Sequence, residues 1–301
     1  MRKDIEFNAE GTTLRGWLYL PEGNQPFPTI VMANGFALVK EQGLDKFAEA
    51  FTNAGFACIA YDNRNLGASD GKPRQDIDPW MQMRDYRQAI TYARSIPELD
   101  SERIGIWGTS YSGAHVLMAA AVDKRVKCVV AQVPGICGFT AARRLMSPQQ
   151  LSELQQQLDK DRSQRQREAS ATIPFVSPDA SKPSAFPEPR SYHYYTMFGD
   201  KPDGMASQRA SNWRNEISLR SLEWWLEHDI TQYMQRISPT PLLMILAAQD
   251  QISPTDFQLE AYNQANEPKK VVVIPGDHYG AYLENFERFS SEAISWYKKH
   301  L

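Results

Sequence analysis

The sequence predicts an α/β protein built on a mostly parallel sheet with helices on both faces. Three observations carry that expectation. Short, wholly apolar runs such as 29–33 (TIVMA), 56–61 (FACIAY) and 241–248 (PLLMILAA) suit strands buried on both faces. They alternate with segments of helical period, as βαβ units do. The rhythm breaks once, near residue 135, and resumes near residue 236. The core is therefore expected in 1–134 and 236–301, with 135–235 inserted as a helical lid or cap.

In order along the chain, residues 4–20 read as a hairpin, DIEF and TLRGWLYL around a turn at Ala9-Glu10-Gly11. TIVMA follows after a loop. A helix is expected over 44–54, stopped at Gly55, and FACIAY is the next strand. The loop DNRNLGASDGKP precedes a helix over 79–95, with Pro79 near its start and Trp80, Met83, Tyr86, Ile90 and Arg94 at helical spacing. Residues 103–107 (RIGIW), 111–122 and 126–133 read as strand, helix and strand. Within the insertion, 148–170 is polar with a thin stripe of Leu151, Leu154 and Leu158, and its DKDRSQRQRE run reads as a solvated face. Pro174, Pro178, Pro183, Pro187 and Pro189 argue against a helix over 171–190. Residues 191–235 are rich in aromatics. A helix at 255–265, a strand at 270–274 and a final helix near 283–300 close the chain.

Composition excludes several classes. Apolar residues make up 42% and charged residues 23%, ordinary for a globular chain able to bury a large core. A net charge of −3 and no basic stripe argue against nucleic acid as a partner. The three cysteines, Cys58, Cys128 and Cys137, are too few and too scattered for a disulfide framework or a zinc site, and all three are expected to be buried. No metal or cofactor is called for. The opening MRKDIEFNAEG lacks the apolar core of a signal peptide and no run matches a membrane span, so a cytoplasmic setting and no membrane partner are expected.

The candidate chemistry centres on Gly108-Thr109-Ser110-Tyr111-Ser112-Gly113, between a strand and a helix. A serine on such a tight turn projects its hydroxyl above the sheet beside a helix N-terminus. The turn is crowded, so small residues are needed two places either side. Gly108 fits; Ser112 departs from the G-x-S-x-G pattern but is small. A serine needs a base. Of five histidines, His115 lies on the following helix, His193 and His228 in the insertion and His300 at the C-terminus; only His278 sits in a loop after a late strand. A carboxylate must orient that base. Asp250, after PLLMILAA, is preferred to Asp277, whose side chain should diverge from its neighbour's. Backbone donors for an oxyanion are expected from the amides of Tyr111 and Phe36, the latter in Asn34-Gly35-Phe36 after TIVMA. Asp62, Arg64, Gly67 and Ser69 read as structural, an Asp–Arg pair and a Gly turn holding their loop.

With these residues in hand, the chain resembles the α/β-hydrolase superfamily. More narrowly, ANGF, YDNRNLGASDG, DPW and WGTSYSGAHVL resemble a bacterial and fungal group related to dienelactone hydrolases and X-Pro dipeptidyl-peptidase-like esterases, and within it the fungal polyketide transferases. The resemblance implies thioester or ester chemistry on an acyl group. Dienelactone hydrolases use cysteine, so Ser110 does not imply their reaction. The expected partner is a small-molecule acyl ester or thioester, free or bound to a carrier protein, with water or an alcohol as acceptor. Carbon–carbon bond formation or cleavage by the same triad, and a non-catalytic binding role, are the alternatives. The sequence does not specify an oligomeric state.

Overall fold

The computed structural model describes residues 1–179, 182–199 and 210–301. Its frame is an eight-stranded sheet formed by β1 (Arg2–Ala9), β2 (Thr12–Tyr19), β3 (Phe27–Ala33), β4 (Ala57–Tyr61), β5 (Leu99–Thr109), β6 (Cys128–Gln132), β9 (Leu242–Ala247) and β10 (Lys269–Ile274). Two short strands, β7 (Thr172–Ile173) and β8 (Ile217–Ser218), pair with each other elsewhere. The main sheet runs in the order β1-β2-β4-β3-β5-β6-β9-β10. Only β1 and β2 are antiparallel to their neighbours. The hairpin turns at Glu10 (φ 52°) and Gly11 (φ 90°), the paired left-handed residues that a two-residue hairpin favours.

Alternation along the buried strands sorts their side chains to two faces. Ile30 and Met32 of β3 join Leu243 and Ile245 of β9 in one apolar cluster, while Val31, Ala33, Met244 and Leu246 join the other. Helices α1 (Leu44–Asn53) and α9 (Phe286–His300) cover the first face. Helices α2 (Pro79–Ala93), α3 (Tyr111–Val122) and α8 (Thr255–Gln264) cover the second. Pro79 opens α2 behind an Asp78 cap, and Gly55, at φ 100°, follows the end of α1.

Between β6 and β9 lie α4 (Gly138–Leu145), α5 (Pro148–Gln164), α6 (Pro189–Thr196) and α7 (Leu219–Glu227). Apolar residues of this segment, among them Phe175, Tyr194 and Tyr195, continue the cluster of the α1 and α9 face. Residues 180–181 and 200–209 of the expected insertion lie outside the described residues. Two expectations here need correction. Pro189 begins a helix, because a first-turn proline loses no hydrogen bond. The charged run of α5 is not wholly solvated: Asp161 is buried, accepting from the Ala171 amide at 2.8 Å and the Ser170 hydroxyl at 2.9 Å. Among the described residues, no helix is long and apolar enough to cross a membrane.

The chain goes from β3 to β4 on one side and then to β5 on the other. The strand order therefore reverses between β3 and β5, the crevice where open α/β sheets position ligands.

Candidate active site

Both strands bordering that crevice end in loops of the expected site. Ser110 follows β5 directly and stands at φ 55° and ψ −123°, a left-handed backbone that a non-glycine residue adopts only under constraint. The constraint is visible. The Ser110 amide donates to Gln132 O at 2.9 Å, and its carbonyl accepts from Gly113 and Gly135, each at 2.9 Å. A Cβ on Gly108 would lie 2.2 Å from Ser112 O, so a side chain there is sterically excluded. A Cβ on Gly35 would lie 3.0 Å from Ser110 Cβ, so the loop after β3 runs close against the elbow. Ser112, where the pattern has glycine, is buried with its hydroxyl 2.6 Å from that of Tyr86.

His278 and Asp250 complete a line of contacts with Ser110. His278 Nε2 is 3.1 Å from Ser110 Oγ, and His278 Nδ1 is 2.8 Å from Asp250 Oδ2. Both residues are buried, and the other Asp250 oxygen accepts from the amides of Ile252 at 2.9 Å and Ser253 at 2.8 Å. Those two bonds fix the carboxylate before it meets the ring. Asp277 is turned elsewhere, pairing with Arg190 at 3.0 Å and accepting from the Gly280 amide at 2.9 Å. His115 and His228 are fully enclosed around Tyr111, and burial lowers both pKa values, that of His228 to about 4. Each is held neutral at pH 7.

The Asn34-Gly35-Phe36 loop is braced from within. Asn34 Nδ2 donates to Val39 O at 2.9 Å and Gln42 O at 3.0 Å, while its Oδ1 accepts from Gly35 N at 3.0 Å. Among the described residues the Phe36 and Tyr111 amides donate no hydrogen bond within the protein.

The loop after β4 differs in detail from its expected bracing. Asp62 does not pair with Arg64. It accepts from Lys40 Nζ at 2.8 Å and from the Lys40 amide at 2.7 Å, and Arg64 is bound instead to Asp85 on α2. A Cβ on Gly67 would lie 2.4 Å from Asp62 Oδ2, so the structural reading of this loop stands with different partners.

Ser110 and His278 open on a cavity of about 40 Å³ walled by Phe36, Tyr111, Phe175, Phe186 and Trp225. It is enough for a few waters. Cys58 and Cys128 are buried free thiols, but Cys137 is only half-buried and lines this cavity, because the chain has left the sheet for the loop beside the elbow. Among the described residues no cluster of three or more His, Cys, Asp or Glu could hold a metal ion.

The sheet, its switch point and the strand-to-helix serine turn define an α/β-hydrolase. Residues 10–280 match the X-Pro dipeptidyl-peptidase (S15) family, and the chain belongs to it. It is 32% identical over 286 residues to thiohydrolase aneE of Aspergillus aculeatus, covering 93% of this chain and 87% of that protein. The crystal structure of the α/β hydrolase GrgF from Penicillium superposes with a TM-score of 0.84 at 30% identity, over 100% of this chain and 99% of that one. The curated GrgF protein is described as a polyketide transferase. The structure of DcsB in complex with its substrate analogue superposes with a TM-score of 0.85 at 28% identity, over 100% of both chains. This protein is accordingly an enzyme with a hydrolase or acyl-transferase role.

Proposed function

We propose that the enzyme cleaves an acyl ester or thioester through a covalent Ser110 intermediate. The observation that carries this reading is the continuous contact from Asp250 through His278 to Ser110. Ser110 Oγ attacks the acyl carbon while His278 Nε2 takes its proton. The carbonyl oxygen gains negative charge and is held by the amides of Phe36 and Tyr111. Collapse expels the thiolate or alkoxide, which leaves with the proton from His278. Water or an alcohol then attacks the acyl carbon, losing its proton to His278, and Ser110 is released. Asp250 holds the imidazole in the tautomer with Nδ1 protonated and stabilises the cation formed in each half-reaction.

Residues 135–235 serve in this reading as a lid, and the aromatic wall they contribute suits a sizeable apolar acyl group. The relatives named thiohydrolase and polyketide transferase support a thioester of a polyketide-type chain, free or carrier-bound, as substrate.

The test is intact-mass measurement after exposure to a panel of acyl thioesters and esters. An acyl adduct that maps to Ser110 is expected. Turnover of the same compounds by Ser110→Ala at the wild-type rate overturns the reading in favour of chemistry that bypasses the hydroxyl.

A further inference from the structure

We infer that Tyr195 and Trp213 are positioning residues that assemble the oxyanion loop from the insertion. The inference rests on the acyl-enzyme reading above.

The loop after β3 contains one strained residue, Ala37, at φ 58°. The carbonyls on either side of that strain are both held from the insertion. Tyr195 OH donates to Phe36 O at 2.8 Å, and Trp213 Nε1 donates to Ala37 O at 3.0 Å. Phe36 and Ala37 are buried, so without these donors two carbonyls would lie in an apolar setting without a partner. The contact is reciprocal. Gln42 Nε2, at the far end of the same loop, donates to Tyr195 O at 2.9 Å. The rings follow: Tyr195 packs edge-on to Phe175 at 4.7 Å, and Phe175 stacks on Phe36 at 5.5 Å.

The peptide plane that Tyr195 grips begins at the Phe36 carbonyl. Its rotation is coupled through the Phe36 φ and ψ angles to the preceding plane, which carries the Phe36 amide. A left-handed Ala37 is strained and persists only when its neighbours hold it. Tyr195 and Trp213 are those neighbours, and neither belongs to the sheet core. The Phe36 amide is therefore aimed jointly by the Asn34 bracing within the loop and by the seated insertion. Groups that act through a ligating or donating residue in this way commonly change its performance 10–100-fold, by analogy with outer-shell partners of metal sites.

The experiment compares Tyr195→Phe and Trp213→Phe with wild type on a p-nitrophenyl alkanoate, each variant first checked for wild-type thermal melting. Each removes one donor; Tyr195→Phe keeps the ring, and Trp213→Phe keeps a smaller aromatic ring in place of the indole. The expected result is a kcat lower by about tenfold or more with KM within about twofold. The inhibition constant of an alkyl trifluoromethyl ketone, which forms a tetrahedral oxyanion on the serine, should rise by the same factor as kcat/KM falls. A pocket-wall role would instead raise KM and leave kcat unchanged, and that result overturns the inference, as does wild-type behaviour of both variants. Should one variant fail to fold, the other carries the test alone. Ser110→Ala separates the two readings. If it is inactive while both ring variants behave as wild type, only the positioning role falls; if it turns over normally, the acyl-enzyme reading falls first.

Discussion

The hydroxyls of Tyr86 and Ser112 lie 2.6 Å apart in the fully buried layer beneath the serine turn. The same Tyr86 oxygen accepts from the Ala33 amide at 2.9 Å and donates to Trp107 O at 3.0 Å. One side chain on α2 thus ties together the ends of β3 and β5 and the first turn of α3, which carry the serine turn and the loop facing it. It also accounts for a serine where the turn pattern has glycine: the extra hydroxyl has a partner.

Tyr86→Phe is expected to destabilise the fold by about 1–3 kcal/mol, because a buried amide and a serine hydroxyl lose their partner together. Ser112→Gly should cost less, since Tyr86 keeps its two backbone contacts. Denaturant midpoints at constant slope measure both.

Removing members of the proposed triad should give non-additive losses. Ser110→Ala and His278→Ala are each expected to lower kcat by roughly 10⁶-fold, and Asp250→Asn by about 10⁴-fold. The double variant Ser110→Ala/His278→Ala should be no slower than either single one. Steady-state rates on an activated ester supply the comparison; multiplying losses would contradict a single catalytic unit.

The two glycines flanking the serine should respond differently. At Gly108 an added methyl meets backbone at 2.2 Å, so Gly108→Ala should cost about 3 kcal/mol and show first as lost folded protein. At Gly35 the methyl meets Ser110 Cβ at 3.0 Å, a contact relieved by a small shift. Gly35→Ala should fold and lose activity by about tenfold or more, because small misplacement at the reacting atoms is costly. Thermal melts beside rate measurements distinguish the two.

Stability should fall with acid through His228. Its folded pKa, about 4, is below the ordinary 6.5 because burial disfavours the charged ring. Between those values the unfolded chain binds the proton and the folded chain does not, so stability is full above pH 6.5 and declines as pH drops towards 4. The contribution is about 3 kcal/mol. Unfolding free energies at pH 7 and pH 5 should differ less in His228→Asn than in wild type.

Much of this was legible in the sequence because it is local. The strands TIVMA and FACIAY, the helix over 111–122 and the serine turn follow from side-chain period and turn chemistry within a few residues. Asp250 and His278 followed from chain order, a property of how the sheet is wound. The partners that were missed are distant in sequence. Lys40 with Asp62, Arg64 with Asp85, and Tyr195 with the Phe36 carbonyl are separated by 22, 21 and 159 residues. No periodicity marks such pairs, since only the folded path decides which polar groups meet. Asp161 escaped for a related reason: a carboxylate in a charged run reads as hydrated until the chain just after its helix supplies an amide and a hydroxyl to meet it.

The small volume beside Ser110 bears on the timing of the reaction. In the proposed reaction, an acyl tail longer than that space accepts calls for the rings of Phe175, Phe186 and Trp225 to move aside and return. Substrate length then registers in how fast the protein breathes as well as in how well the chain fits, and raising solvent viscosity should slow long-chain compounds more than acetyl ones.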